Sequence, residues 1–193
     1  MVKSNIQIIA GKHRGKKLYM ADIETTRSSK NILKESVFNS LQFEVDDSIW
    51  VEVFSGTGSI GLEALSRGAK YAYFLEKDPY AFKVLNKNIS ECKEEENCEV
   101  ILGDSFETIW YVLEKLQKNK QKAFFYFDPP FAIREGNEEI YDKVIDTIAR
   151  LPKINVEKII IEHQSGIEFP ETISKYNKTK SRKFGKSTVT YYE

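Results

Sequence analysis

The 193-residue chain is poor in the residues that staple a fold or hold a metal. It has two cysteines, Cys92 and Cys98, and two histidines, His13 and His163. Two cysteines cannot build a disulfide framework. No pair among these four residues has zinc-finger spacing, so no metal is expected. Long apolar runs are missing as well. None approaches the ~20 residues that a membrane helix needs, and the first residues carry no signal-peptide core. Apolar residues make up 41% and charged residues 30%, which suits a globular fold rather than disorder. The expectation is a cytoplasmic, metal-free protein with one main domain.

Net charge is also missing, but the zero conceals a segregation. Residues 1–21 hold five bases (Lys3, Lys12, Arg14, Lys16, Lys17) and no acid. Residues 172–188 hold six (Lys175, Lys178, Lys180, Arg182, Lys183, Lys186), again without an acid. The stretch between carries 18 bases against 28 acids. Two basic ends on an acidic body suit a polyanionic partner, although charge runs are commonly only solvated faces.

The pattern alternates between strand and helix. Ile6–Ile9 and the stretch through Leu18 read as two strands joined by a basic turn. Apolar residues Ile32, Leu33, Val37, Phe38 and Leu41 predict a helix over 28–41, with Ser28 or Ser29 as its cap. Strands follow at 49–54, 71–75, 100–102, 123–127 and 158–162. Between them lie helices at 60–65, 79–89, 106–116 and 138–149. Such alternation predicts a mostly parallel sheet with helices on both faces. Residues 173–183 and 187–192 complete it as a hairpin around Gly185. Glu94–Glu96 reads as loop.

Gly56-Thr57-Gly58-Ser59-Ile60-Gly61 fits G-x-G-x-x-G between a strand and a helix, the context that gives this spacing meaning. Glu76 closes the next strand, 20 residues after Gly56, where an acid accepts ribose hydroxyls. A nucleoside-containing cofactor follows. A nicotinamide dinucleotide satisfies both features, so two further acids matter. Glu52, inside the first strand of the unit, suits the ammonium of a methionine moiety and would repel a pyrophosphate. Asp104, after the third strand, can accept from an adenine amino group. Together they favour S-adenosylmethionine. Asp128-Pro129-Pro130-Phe131 follows the aromatic strand directly. Two prolines stiffen the corner and hold the Asp128 carboxylate beside a carbonyl, a pair of acceptors for an exocyclic amine. Phe131 offers a stacking face for a flipped base. Tyr126, Tyr141 and Tyr191 read as core packing.

These motifs carry a resemblance. With Val53–Gly58, the Asp-Pro-Pro-Phe corner resembles the amino-group methyltransferases that use S-adenosylmethionine. More narrowly, Ile8–Leu18, Gly58–Ala69 and Phe184–Val189 resemble the bacterial 16S ribosomal RNA guanine-N2 methyltransferases of the D type, from about residue 5 onward. That resemblance implies a Rossmann-like, doubly wound α/β fold: a seven-stranded sheet with one antiparallel strand, behind an N-terminal β-hairpin. It implies a basic hairpin at 1–20 and a methyltransferase domain at 21–193. It also implies methyl transfer from S-adenosylmethionine to guanine N2 of 16S ribosomal RNA, within an assembling small subunit. The catalytic corner is then Asp128, Pro129, Pro130 and Phe131. The cofactor set is Glu52, Phe54, Gly56, Gly58, Gly61, Glu76 and Asp104, and the RNA contacts are Lys12, Arg14, Lys16, Lys17 and Arg27. The family's Arg-Pro-Thr helix start is altered here to Arg27-Ser28-Ser29, with Ile32 and Lys34 at two arginine positions and Glu52 at a common aspartate. Other readings are an adenine-N6 or cytosine-N4 DNA methyltransferase, a nicotinamide-dependent oxidoreductase, and an RNA-binding protein with an idle pocket.

Overall fold

The computed structural model describes the backbone of residues 2–20, 27–130 and 139–193, and the side chains of 6–20, 30–130 and 139–193. The elements run β1 (Val2–Gln7), β2 (Lys17–Met20), α1 (Arg27–Ser40), β3 (Ile49–Val53), α2 (Ser59–Ser66), β4 (Tyr71–Glu76), α3 (Pro79–Cys92) and β5 (Cys98–Leu102). The second half runs α4 (Ser105–Lys118), β6 (Ala123–Phe127), α5 (Ile140–Arg150), β7 (Val156–Gln164), β8 (Thr172–Ile173), β9 (Tyr176–Phe184) and β10 (Ser187–Tyr192). α1 already includes Ser28 and Ser29, so neither stands before it as a cap.

Strands β1 and β2 pair as an antiparallel hairpin. The main sheet has the order β5-β4-β3-β6-β7-β10-β9, and the two-residue β8 extends its far edge. β5, β4, β3, β6 and β7 are parallel. β10 enters antiparallel between β7 and β9, the single reversed strand among the seven long ones. The order reverses direction between β3 and β6, so their carboxyl ends flank the crevice where open α/β sheets bind ligands.

Period-two alternation sorts the side chains of these strands. Val51, Val53, Phe125, Phe127, Ile159 and Ile161 pack in one core with α4 and α5. Trp50, Phe74, Phe124, Tyr126 and Ile160 pack in the other with α1, α2 and α3. Trp50 is the centre of that layer, stacked between Phe38 at 5.0 Å and Phe124 at 4.9 Å. Ile6, Ile8 and Leu18 of the hairpin region belong to the same cluster, so the N-terminal segment shares the main core.

A buried carboxylate joins this hairpin to the rest. Glu63 on α2 is fully buried and accepts from the Ile9 and Ala10 amides at 2.8 and 3.1 Å. Its other partners are Arg67 Nε at 2.8 Å and the ammonium of Lys34, itself buried on α1, at 3.3 Å. Lys34 also donates to the Gln7 carbonyl at 2.8 Å. Beside it, Gly11 lies so close to α2 that a Cβ would sit 1.7 Å from the Ser66 carbonyl oxygen. Only glycine fits there, and at φ +81° the backbone favours it too.

The basic turn is likewise docked. Glu94, in a run expected to be loop, is buried and receives Lys12 at 2.7 Å and His13 Nε2 at 2.5 Å. Lys16 donates to the Glu91 carbonyl. Glu63→Ala should therefore cost about 3–5 kcal/mol, because it leaves Lys34 buried without its carboxylate. Urea unfolding measures this, and a loss below about 1 kcal/mol would contradict the role given to Glu63.

Candidate active site

A cavity of about 180 Å³ opens at the carboxyl ends of β3, β6 and β7. Glu52, Phe54, Gly56 and Asp128 line it, as the sequence predicts. Lys30, Lys34, Ser59 and Glu162 line it too, although the sequence reading gives none of these four a role in the site. Gly58, Gly61, Glu76 and Asp104 do not line the cavity.

The glycine turn is built for packing as much as for a ligand. At Gly58 an added Cβ would stand 2.3 Å from Leu85 Cδ1, and at Gly61 2.4 Å from Phe74 Cε1. Both glycines let α2 settle onto the sheet and onto α3. Gly56 differs: with φ +53°, its Cβ direction holds nothing within 4 Å. Phe54, just before the turn, holds a left-handed φ of +67° and meets Phe106 edge-on at 5.3 Å. Left-handed backbone costs a side-chain-bearing residue about 1–2 kcal/mol, a strain characteristic of ligand sites.

The acids differ in what occupies them. Glu76 spends both oxygens on the turn, accepting from the Gly56 amide at 2.7 Å and the Asp78 amide at 2.8 Å. Asp104 is exposed and caps α4 through the Phe106 amide at 2.8 Å. Glu52 is buried and accepts from the Ile60 and Gly61 amides at 3.2 and 2.8 Å, at the start of α2. Burial raises its carboxyl from the ordinary 4.5 to about 8, against the lowering effect of those amides.

Asp128 leaves β6 with its amide donating to the Val53 carbonyl at 3.3 Å, so the corner is locked beside β3. Pro129 is buried and Pro130 half-buried. Phe131 lies outside the described residues, and so does the side chain of Arg27. Lys30 sits on the corner, Nζ 3.1 Å from Asp128 Oδ2. Asp128 above all raises the Lys30 ammonium above its usual range.

Next to this corner stands Glu162, one residue past Ile161 on β7. Its oxygens accept from Tyr126 Oη at 3.0 Å and Ser187 Oγ at 2.9 Å. Tyr126 thus has a hydrogen-bonding task beyond the core packing expected of it. The sequence signal for Glu162 is an acid directly after the apolar run Ile159-Ile160-Ile161.

A family profile described as Conserved hypothetical protein 95 matches residues 6–193. The chain belongs to that family. Its relatives include the Ribosomal RNA small subunit methyltransferase D of Haemophilus influenzae, 37% identical over 139 residues, 72% of this chain and 70% of that protein. A solved Escherichia coli protein, provisionally named a methyltransferase, superposes with TM-score 0.74 and 26% identity, covering 97% of this chain and 96% of that one. A solved Haemophilus influenzae protein, provisionally named a methylase, gives 0.72 and 28%, covering 97% of each chain. The names of these relatives and neighbours favour methyl transfer over hydride transfer as the use of the glycine turn.

Two outcomes follow for the glycines and Glu52. Gly58→Val should destabilise the fold, whereas Gly56→Val should keep its packing, at a strain of about 1–2 kcal/mol, and lose S-adenosylmethionine binding. Calorimetric titration and thermal melts of both variants distinguish packing from ligand approach. Glu52 should make cofactor affinity rise about tenfold per pH unit up to about 8, since the ammonium needs the carboxylate. The same shift acts on stability with the opposite sign. The folded state keeps a proton that the unfolded chain releases above about 4.5, so Glu52's contribution declines between 4.5 and 8. Glu52→Gln should flatten both dependences.

Proposed function

We propose that the chain transfers a methyl group from S-adenosylmethionine to the exocyclic N2 of a guanine in 16S ribosomal RNA. The observation that carries this reading is Asp128. Its stiff corner faces the same cavity as Gly56 and Glu52, so an amine held by one and a cofactor held by the others would meet. Open space at Gly56 suits a ligand lying against the backbone, and buried Glu52 suits a ligand cation.

S-adenosylmethionine supplies an activated, electrophilic methyl group. The residues therefore have mainly to position, an effect that reaches roughly 7–11 kcal/mol in well-oriented systems. Glu52 holds the ammonium of the methionine portion and Gly56 lets the backbone approach it. Glu76 and Asp104 take the ribose and the adenine amine once their present backbone partners yield. Gly58 and Gly61 keep the turn tight enough for this. Asp128 and the carbonyl of its corner accept the two amine hydrogens and turn the nitrogen lone pair towards the methyl. Pro129 and Pro130 fix that direction, and Phe131 stacks on the base. The same corner would serve adenine N6 or cytosine N4. Relatives named for ribosomal RNA favour an RNA base, and the D-type resemblance of the motifs favours guanine N2 among them.

The RNA backbone is gripped by the basic hairpin of residues 1–20, which stands before the methyltransferase domain at 21–193, and by Arg27. The cations of the turn are not equivalent. Lys12 is paired with Glu94 and Lys16 with the Glu91 carbonyl, whereas Arg14 and Lys17 are exposed and have no ion-pair partner among the described residues. Lys180 and Lys183 on β9 and Lys186 in the turn before β10 are exposed and extend the track.

Asp128→Ala should keep cofactor affinity and lose methyl transfer by several orders of magnitude. Wild-type turnover in that variant would overturn the mechanism. The RNA contacts are tested by salt. Arg14→Ala with Lys17→Ala should make the log–log salt slope shallower by about 0.7–0.9 for each phosphate left without its cation. Lys12→Ala should act more on thermal stability, through Glu94. An unchanged slope in the Arg14 and Lys17 double variant would make the turn a solvated face only.

A further inference from the structure

We infer that Glu162 is the proton-accepting partner of Asp128, a positioning residue that takes up, through Asp128, the proton the amine sheds when it is methylated. This rests on the amino-methyl transfer read above. Register sets the two side by side. β6 and β7 pair in parallel with Phe127 opposite Ile161, so the next residues on each, Asp128 and Glu162, are neighbours across strands about 4.8 Å apart. Both line the cavity.

The surroundings of Glu162 suit a carboxylate that gains and loses a proton. Tyr126 Oη and Ser187 Oγ each donate to one of its oxygens, which favours the charged form. Burial and the charge of Asp128 oppose them and raise it to about 7, and the Lys30 ammonium limits the rise. Its charged and titratable neighbours are Tyr126 on β6, Asp128 just after it and Lys30 on α1, with Lys34 and Glu52 farther round the cavity. Ser187 on β10 adds a neutral donor. Among the described residues lining the cavity, Glu162 is the carboxylate that adjoins the corner from the strand beyond β6.

Atoms and electrons balance in this step. The N2 lone pair forms the N–CH3 bond while the S–CH3 bond breaks, its pair passing to sulfur. The nitrogen then carries one proton too many. Asp128, already bonded to that hydrogen, receives it and hands it to Glu162. The amine is left neutral, and the proton returns to solvent through the cavity after product release.

The test is a pH profile of single-turnover methyl transfer to small-subunit ribosomal RNA, read beside cofactor affinity. In the wild type the rate should rise about tenfold per pH unit below about 7 and level above it. Glu162→Gln should lower the plateau about 10- to 100-fold and abolish the rise, with cofactor affinity and melting temperature unchanged. Tyr126→Phe, which removes one donor from the carboxylate, should move the rise to higher pH and serves if Glu162→Gln does not fold. Carbon-13 spectra of glutamate-labelled protein without cofactor give a second readout. A carboxyl titrating near 7 should vanish in Glu162→Gln and move upward in Tyr126→Phe. A wild-type pH profile in Glu162→Gln, or a neutral titration indifferent to both substitutions, overturns the inference. A wild type that methylates no guanine N2 overturns instead the functional reading on which it rests.

Discussion

Glu63 is the constraint on which the other contacts at this end of the molecule depend. A carboxylate with no exposed surface has to be satisfied completely, because an unpaired buried charge costs several kcal/mol. Four donors from three segments meet that demand: two amides following β1, Lys34 of α1 and Arg67 at the end of α2. Satisfying the charge therefore fixes the hairpin against α2 and draws α1 across the carboxyl ends of the strands. α1 carries Lys30 and Lys34 into the cavity as a result. The position of the site's two cations follows from a salt bridge whose carboxylate, Glu63, lies outside the cavity that Lys34 lines.

The sheet was legible in the sequence where its interior is apolar on both faces. Ala123–Phe127 matches β6 residue for residue, because five buried residues bounded by loop and by Asp-Pro-Pro leave little freedom. At the edge the reading is shorter than the strand. β5 begins at Cys98, and its first four residues are only half-buried, so Cys98 and Glu99 carry no clear strand period. α3 continues to Cys92 because Cys92 is itself core, which a helix ended at the last obvious aliphatic misses.

The candidate site was legible as motifs and illegible as a charge cluster. Glu52, Gly56 and Asp128 stand at recognisable spacings and do meet at one cavity. Lys30 and Glu162 belong to no motif, Lys34 appears only as a departure from the family's arginine, and tertiary pairing brings all three there. Glu63 sits in Gly61–Leu65, an otherwise apolar helix in which one acid reads as an exposed face. Glu94 sits among acids and reads as solvated, although the buried one of the three is pinned by the basic turn. Sequence assigns a charged residue to the surface by default, and it cannot show the partners that make an exception.

The cavity's charges balance one another. Glu52, Asp128 and Glu162 would repel one another if all were ionised and alone. Lys30 answers this at Asp128 and Lys34 stands nearby, while burial raises both Glu52 and Glu162 towards neutrality. The proposed ligands present matching chemistry: a cationic ammonium for Glu52 and an amine with two N–H donors for Asp128. An ammonium and an exocyclic amine can both donate N–H groups to a carboxylate, although only the ammonium also neutralises its charge. In the reading proposed above, Lys30 holds the place at Asp128 that the amine would take. A carboxylate free of any donor at this position would be costly, and a permanently bound one would be closed to substrate. A half-exposed lysine, 39% accessible, is a donor that an amine can replace.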